Sequence, residues 1–540
     1  MRKVKIMLNS WTKKYYLEMN KPSEEDNRTT KERILDELKA QGHEEPTKLD
    51  HKVLQEAYGL CEEYEWSVTA SLVYDGMIWH VNRLEAGDTT DAHYGIAVDN
   101  GSTTIVMEVY DLNTGVRVAK KTAFNPQIKY GEDILSRIFF TREDPANRMK
   151  LQKETAEGYN RLMNELTRET GIDLTSCGFM VISANTCMVH FLLGYDAFQV
   201  FSSPYAVQTL NPDVIPASEL NIHMNGYIYI YPSKANYLGG DIISGMIATD
   251  IPNKESISVF LDIGTNGELV IGNRDFLICG AGAAGPALEG GSVKTGMRAD
   301  RGAVDTVVIE NDEVKIHVLT GQGNVKPDAR YGEPEDVAEP KGICGSGIVD
   351  LLAQLFLNGI IDIRGQLNPD KSRHVVKVPH PEYEEGSNEE VLAFEYAPGL
   401  LFYQFDIDEI VKTKAAAMTM VEYMMGLVGL ELTDIGDFYI SGAFGTHLNK
   451  ESAVVLGMYP DFADRRRIRQ PGNTSLDGAV AMLLDRSNAD KAGAIIDMME
   501  YVQFGAVAEF LHLMVAASAI PHTDLSRYPS VVEELKKRGK

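Results

Sequence analysis

The chain is poor in cysteine. It holds five in 540 residues, Cys61, Cys177, Cys187, Cys279 and Cys344, odd in number and widely scattered, which fits a reducing compartment rather than a disulfide framework. No Cys-x-x-Cys and no ferredoxin-like spacing occurs, so the sequence offers no recognisable iron–sulfur site and each thiol reads as a small buried hydrophobe. Long apolar runs are also missing. None approaches the roughly 18 consecutive residues of a spanning helix, and Met1-Arg-Lys-Val-Lys lacks the apolar region of a signal peptide; these absences predict a cytoplasmic protein with no membrane partner. Basic residues are in deficit, 52 against 78 acidic, for a net charge of −26. A nucleic-acid partner would need a concentrated basic stripe. The short cluster Arg465-Arg466-Arg467 is no such stripe and reads as a solvated loop.

What the chain does carry, twice, is Asp-x-Gly-Ser/Thr at the end of a β-rich apolar run: Asp99-Asn100-Gly101-Ser102-Thr103-Thr104 and Asp262-Ile263-Gly264-Thr265-Asn266-Gly267. Apolar, β-branched residues flank both copies, so each turn joins two strands and is not a strand-to-helix phosphate loop. A carboxylate delivered into a tight Gly turn, followed by hydroxyls and backbone N–H groups, suits a metal-bound phosphate. The amides and hydroxyls donate to oxygens while the carboxylate orients Mg²⁺ through water. Two such hairpins are expected to grip one nucleotide triphosphate; two ordinary β-turns are the alternative, since Asp and Gly form turns readily. A third glycine turn, Ser441-Gly442-Ala443-Phe444-Gly445, follows the short strand Asp437–Ile440. Its small residues let the backbone approach a nucleoside, or it is a plain strand-to-helix connection with Asn449 capping the helix from Lys450.

At 540 residues the chain predicts two or more domains. Residues 1–90 read as a small α+β linker or docking domain, with an amphipathic helix at Thr30–Leu38 and a hairpin Trp66–Val81 turning at Asp75-Gly76. Strands and helices then alternate through a first lobe, 91–235, and a second, 236–540. The pattern predicts a helix over Arg148–Thr170 stopped by Gly171, a strand Phe179–Ser183, and a helix opened by Asn185-Thr186 and ending at Gly194. Residues 279–305 are rich in glycine and alanine, and residues 322–341 and 369–392 read as exposed polar insertions. Gly345-Ser346-Gly347 opens a helix that either receives an anion or is simply a Gly-rich entry. Asp406 and Glu409 form an approximate capping pair for a long helix carrying Lys412, Lys414 and four methionines read as core filler. The lysines flank an adenine or face solvent.

Two phosphate hairpins, a connecting helix and a late Gly-rich turn resemble the superfamily of actin, heat-shock ATPases and acetate or sugar kinases. More narrowly, about nine-tenths of the chain resembles the ATP-dependent reductive activators of corrinoid proteins. The matching residues are Ser23–Arg28, Ala97–Thr104, Asn125-Pro126-Gln127 with Tyr130-Gly131 and Asp133, Asn185-Thr186-x-Met188-x-His190, Asp262–Glu268, Ala284–Gly290, Gly296–Arg298, Gly345–Gly347 and Ser441–Gly445.

The resemblance implies an α/β fold of duplicated actin-like, ribonuclease H-like lobes behind a small N-terminal domain. It also implies ATP and Mg²⁺ as cofactors, a homodimer, and a corrinoid protein partner whose Co(II) is returned to Co(I) in a methyltransferase system. Asp99 and Asp262 would organise Mg²⁺ through water. Gly101, Ser102, Thr103, Thr104, Gly264, Thr265 and Asn266 would hold phosphates, and Gly442, Ala443, Phe444, Gly445 and Lys414 the nucleoside. Asp241 would align the attacking water or, equally, cap its helix, with Asn185 standing where an acid would be a stronger base; slow hydrolysis suited to a switch follows. Glu289 and Arg298 either pair across the Gly-rich segment or face solvent. The chain departs from the family in starting at what resembles its linker, without the iron–sulfur domain. No cluster is therefore expected, and either a separate ferredoxin-like protein would supply electrons or this member would only remodel its corrinoid partner. It also lacks Asp-x-His-x-x-Gly, the motif that offers a histidine to cobalt, so it acts on a corrinoid without holding one. A small-molecule kinase and an actin-like scaffold ATPase are the rival readings.

Overall fold

The computed structural model describes residues 8–264, 267–282, 293–320, 338–381, 389–445, 447–504 and 508–540. Contacts divide the chain into two units, one running through Asp250 and taking in Thr474–Met498, the other comprising Ile251–Asn473 and Met499–Lys540.

The first unit begins with a four-stranded sheet in the order Thr12–Glu18, Ser67–Tyr74, Trp79–Ala86, Thr47–Leu49. The helices Thr30–Ala40 and His51–Glu63 accompany it, sharing a core of Leu17, Ile34, Leu38, Cys61 and Trp66. The hairpin turns where the Asp-Gly pair predicts: Asp75 Oδ1 accepts from the N–H groups of Met77 and Ile78, both at 2.8 Å. Thr29 and Glu32 close a capping box on the first helix.

A six-stranded sheet follows, in the order Val116–Phe124, Thr104–Asp111, Tyr94–Asn100, Phe179–Ser183, Tyr227–Ile230, Ile215–Pro216. The three strands of Tyr94–Phe124 form an antiparallel meander. Its first strand runs parallel to Phe179–Ser183, which runs parallel to Tyr227–Ile230. The helix Ala146–Thr170 buries Leu151, Tyr159, Leu162, Met163 and Leu166 in this core and stops at Gly171, whose φ of 73° is left-handed. The helix Thr474–Leu484 packs on Tyr94–Asn100 and Phe179–Ser183 and against the helix Gly240–Thr249.

The second unit repeats the topology. Ile257–Ile263, Gly267–Gly272 and Leu277–Gly282 form the meander, and Ile257–Ile263 runs parallel to Ile435–Ser441, which runs parallel to Ile468–Gly472. Both units therefore carry a three-strand meander whose first strand recruits two later parallel strands, the duplicated ribonuclease H-like pattern that the resemblance implies. The helix Gln404–Leu427 buries Met418, Met420, Met424 and Met425 as filler.

Two expectations change. Residues 369–392 are not wholly a loop, because Val375–Pro379 pairs with Glu390–Ala397, and that strand with Leu400–Tyr403; the alternation Val376-Lys377-Val378 is a strand signal. The long helix starts before Asp406, which sits one turn in and accepts from the N–H of Tyr403 at 3.1 Å. No helix among the described residues is long and apolar enough to cross a membrane.

Candidate functional site

In the first unit the strand Tyr94–Asn100 carries Asp99 as its penultimate residue, half-buried and in parallel register with Ser183. The turn beyond it is tight: a Cβ on Gly101 would stand 2.8 Å from the carbonyl oxygen of Thr104. Ser102, Thr103 and Thr104 are half-buried around it. Asp99 Oδ1 accepts from the Ser475 hydroxyl at 2.8 Å, Ser475 Oγ lies 2.9 Å from Ser183 Oγ, and Ser183 Oγ lies 2.8 Å from Ser244 Oγ. Ser244 donates to the carbonyl of Asp241 at 2.9 Å. A file of hydroxyls from three elements thus ties the strand carrying Asp99 to the first turn of the helix carrying Asp241.

Asn185 belongs to the same neighbourhood. A Cβ on Gly239 would strike Asn185 Cα and come within 2.7 Å of Asp241 Oδ1, so glycine is required for the two segments to meet. Asn185 Oδ1 accepts from the N–H of Met188 at 2.9 Å as the cap of the helix Thr186–Leu193. Its oxygen serves as that cap, and an amide is in any case no base at neutral pH.

In the second unit the strand Ile257–Ile263 delivers Asp262, half-buried, into register with Ser441 on one side and Glu268 on the other. Gly442 has a φ of 87°, and a Cβ there would lie 2.6 Å from Asp262 Oδ1 and 2.8 Å from the carbonyl of Ile263. The second hairpin and the third glycine turn accordingly meet at the Asp262 carboxylate, and only glycine fits between them. Gly442–Gly445 forms one helical turn, and Gln470 Nε2 donates to the carbonyls of Gly445 and Leu448 at 2.8 and 2.9 Å. Asn449 caps the next helix, Lys450–Leu456, as the strand-to-helix alternative has it. Gly264 bends the chain after the strand. Thr265, Asn266, Glu289 and the side chains of Ala443 and Phe444 lie outside the described residues, and Arg298 is exposed.

Lys414 is not placed to hold a nucleoside. It is 3% exposed, and its ammonium donates to the carbonyls of Ala517, Ala519 and Pro521, each at 2.6 Å. All three protons are spent on backbone, although burial pushes the group down to about 7. Gly347 opens its helix for packing, since a Cβ there would meet the carbonyl of Val304. The five cysteines are buried and unbridged. Burial pushes the Cys61 thiol up to about 11 and those of Cys177 and Cys187 up to about 12.

The serines were not singled out from sequence. Ser183 closes a strand, and Ser475 stands at the start of a helix more than 370 positions from Asp99, so only the fold relates them. Both carboxylates sit at strand ends beside glycine-made space. Such an arrangement fits Mg²⁺ and its waters with amides and hydroxyls on phosphate oxygens.

Residues 2–91 match the RACo linker region, residues 94–254 the RACo middle region, and residues 256–532 the C-terminal domain of RACo, the ASKHA domain. Corrinoid activation enzyme RamQ of Eubacterium limosum is 27% identical over 436 residues, covering 77% of this chain and 69% of that protein. The [Co(II) methylated amine-specific corrinoid protein] reductase of Methanosarcina barkeri is 26% identical over 424 residues, covering 74% and 71%. Among solved structures, a reductive activator for corrinoid, iron–sulfur protein matches with a TM-score of 0.82 and 32% identity, over 97% of this chain and 81% of that one.

Proposed function

The chain belongs to the RACo family, and from that premise we propose that it is an ATP-dependent activator of a corrinoid protein, supporting return of cobalt from Co(II) to Co(I) in a methyltransferase system. The observation that carries this reading is the match to linker, middle and ASKHA regions in order along nearly the whole length. Names of relatives that align over about three quarters of the chain agree with it.

In this reading Asp99 and Asp262 orient Mg²⁺ through its waters. Gly101, Ser102, Thr103, Thr104, Gly264, Thr265 and Asn266 donate to phosphate oxygens, and the turn Gly442, Ala443, Phe444, Gly445 admits the nucleoside. Bound Mg²⁺ supplies neutralisation of phosphate charge. Asp241 aligns water, Asn185 contributes only an N–H, and the absence of a strong base among them makes hydrolysis slow. The nucleotide state then biases a conformational equilibrium that the corrinoid partner senses. A separate ferredoxin-like protein as electron donor and a homodimeric assembly complete the proposal.

The test mixes the protein with a Co(II) corrinoid protein, a low-potential reductant and Mg-ATP, and follows Co(I) by its visible spectrum. Co(I) should accumulate only with ATP; equal accumulation without nucleotide rejects the proposal. Asp99→Ala should lower ATP turnover by about 100-fold or more, the scale of losing a key electrostatic group, while leaving the fold's circular dichroism unchanged.

A further inference from the structure

The carbonyl side of the first phosphate hairpin is clamped by residues that the proposed phosphate chemistry does not use. Asn125 Nδ2 donates to the carbonyl of Gly101 at 2.8 Å, the Asn125 N–H donates to the carbonyl of Thr103 at 2.8 Å, and Arg137 Nη2 donates to the carbonyl of Ser102 at 2.7 Å. In a planar trans peptide the N–H of the next residue points opposite to the C=O. Fixing the carbonyls of Gly101, Ser102 and Thr103 on one side therefore turns the N–H groups of Ser102, Thr103 and Thr104 to the other. Among the described residues no acceptor meets the N–H of Ser102 or Thr103.

Arg137 is fully buried. Its other contacts are the carbonyl of Gly131 at 2.9 Å and, more weakly, Gln127 Oε1, Met188 Sδ and the carbonyl of Glu132. Every acceptor is neutral. Burial pushes the guanidinium down to about 10, with the nearby Asp133 charge opposing. Asp133 spends its carboxylate on the N–H and hydroxyl of Ser136, at 2.7 and 2.8 Å. The surroundings are shaped to admit the arginine. A Cβ on Gly131 would stand 2.9 Å from the Arg137 backbone nitrogen, and Gln127 is held by Thr155 Oγ1 at 2.7 Å and the carbonyl of Leu151 at 3.1 Å. A buried cation with only neutral acceptors is costly unless charge elsewhere compensates it. It lies directly behind a turn whose amides face away from it.

We propose that Arg137, with Asn125, is the positioning residue of this hairpin, presenting its amides and acting through the turn as the fixed counter-charge for a nucleotide's phosphates. The proposal rests on the nucleotide reading above, and its signature is a loss of affinity that grows with phosphate number. A merely structural role would weaken all ligands alike.

Titration calorimetry of the full chain with Mg-ATP, Mg-ADP and adenosine tests it. Arg137→Met should weaken ATP at least tenfold, ADP less, and adenosine within twofold. Arg137→Lys, which keeps the charge but not the planar fork, should recover part of the ATP loss. Asn125→Ala, which leaves the arginine and guards against failure of Arg137→Met to fold, should weaken ATP about threefold to tenfold and spare adenosine. Folded variants that bind ATP as the wild type does, or that lose ATP and adenosine by one common factor, overturn the proposal. If the wild type itself fails to bind ATP, the nucleotide reading falls and this proposal with it; if it binds and the variants match it, only this proposal falls.

Discussion

A lysine whose three protons are all committed to carbonyls has none for a nucleotide, so Lys414→Met separates the two roles. Its loss leaves the carbonyls of Ala517, Ala519 and Pro521 buried without donors, a cost of about 3 kcal/mol or more. The expected outcome is a lower urea midpoint with ATP affinity unchanged within twofold. Asp350 poses a different problem. It is 5% exposed and Oδ1 has no partner among the described residues; burial raises its pKa from 3.8 to about 6, the nearby Asp305 charge adding to the rise and bonds from Ser452 and the Val307 N–H opposing it. Asp305 itself lies 2.5 Å from His317 Nδ1. Because the folded-state value lies above the unfolded one, the native chain binds more protons between about pH 4 and 6. Asp350 then contributes stability that is present below pH 4 and lost as pH rises through about 6. Asp350→Asn should therefore stabilise the protein at pH 8, by at most about 3 kcal/mol. The gain should vanish in unfolding measurements at pH 4.

Helix and strand boundaries were most legible where a local signal coincided with the core pattern. Phe179–Ser183 is a strand as read, Gly171 and Gly194 stop their helices with φ of 73° and 70°, and Asn185 opens its helix by capping it. The small sheet around Val375–Pro379 was obscured by the polar sequence on either side of it. The site was legible only in part, because a carboxylate at the end of an apolar run announces itself, whereas a serine that holds it does not. Gly478 illustrates the element-level cost of such holding. It lies where Thr474–Leu484 crosses Gly240–Thr249; a Cβ there would collide with the carbonyl of Ser244, and the Gly478 carbonyl accepts from Tyr231 Oη at 2.6 Å. Alanine gains about 1 kcal/mol in helix propensity, yet a collision with backbone is not relieved by a rotamer change and costs about 1–3 kcal/mol. Gly478→Ala should thus be net destabilising in thermal melts. It should also lower ATP turnover severalfold by shifting Ser475 from Asp99.

Across the whole chain, the duplication was readable from the two Asp-x-Gly hairpins, but the return of Thr474–Met498 to the first unit carries no sequence mark. Its consequence is a folding dependence. Leu476, Met482 and Leu483 are 2%, 0% and 0% exposed, a Cβ on Gly95 would stand 2.8 Å from Leu483 Cδ1, and Trp11 Nε1 donates to the carbonyl of Met482 at 2.9 Å. Burying three such side chains is worth about 5–9 kcal/mol in total, comparable with the whole stability of an ordinary domain, about 5–15 kcal/mol. A fragment of residues 1–250 therefore forfeits most of its margin, while residues 12–86, with their own core, keep theirs. The fragment alone should show weak near-ultraviolet circular dichroism and a broad, non-cooperative urea transition, with protection from protease confined to the N-terminal sheet. Joining residues 474–498 to it through a flexible Gly/Ser linker should restore a single cooperative transition. A sharp transition at the same midpoint in both fragments would mean that the returning helix and its buried side chains add nothing to this unit.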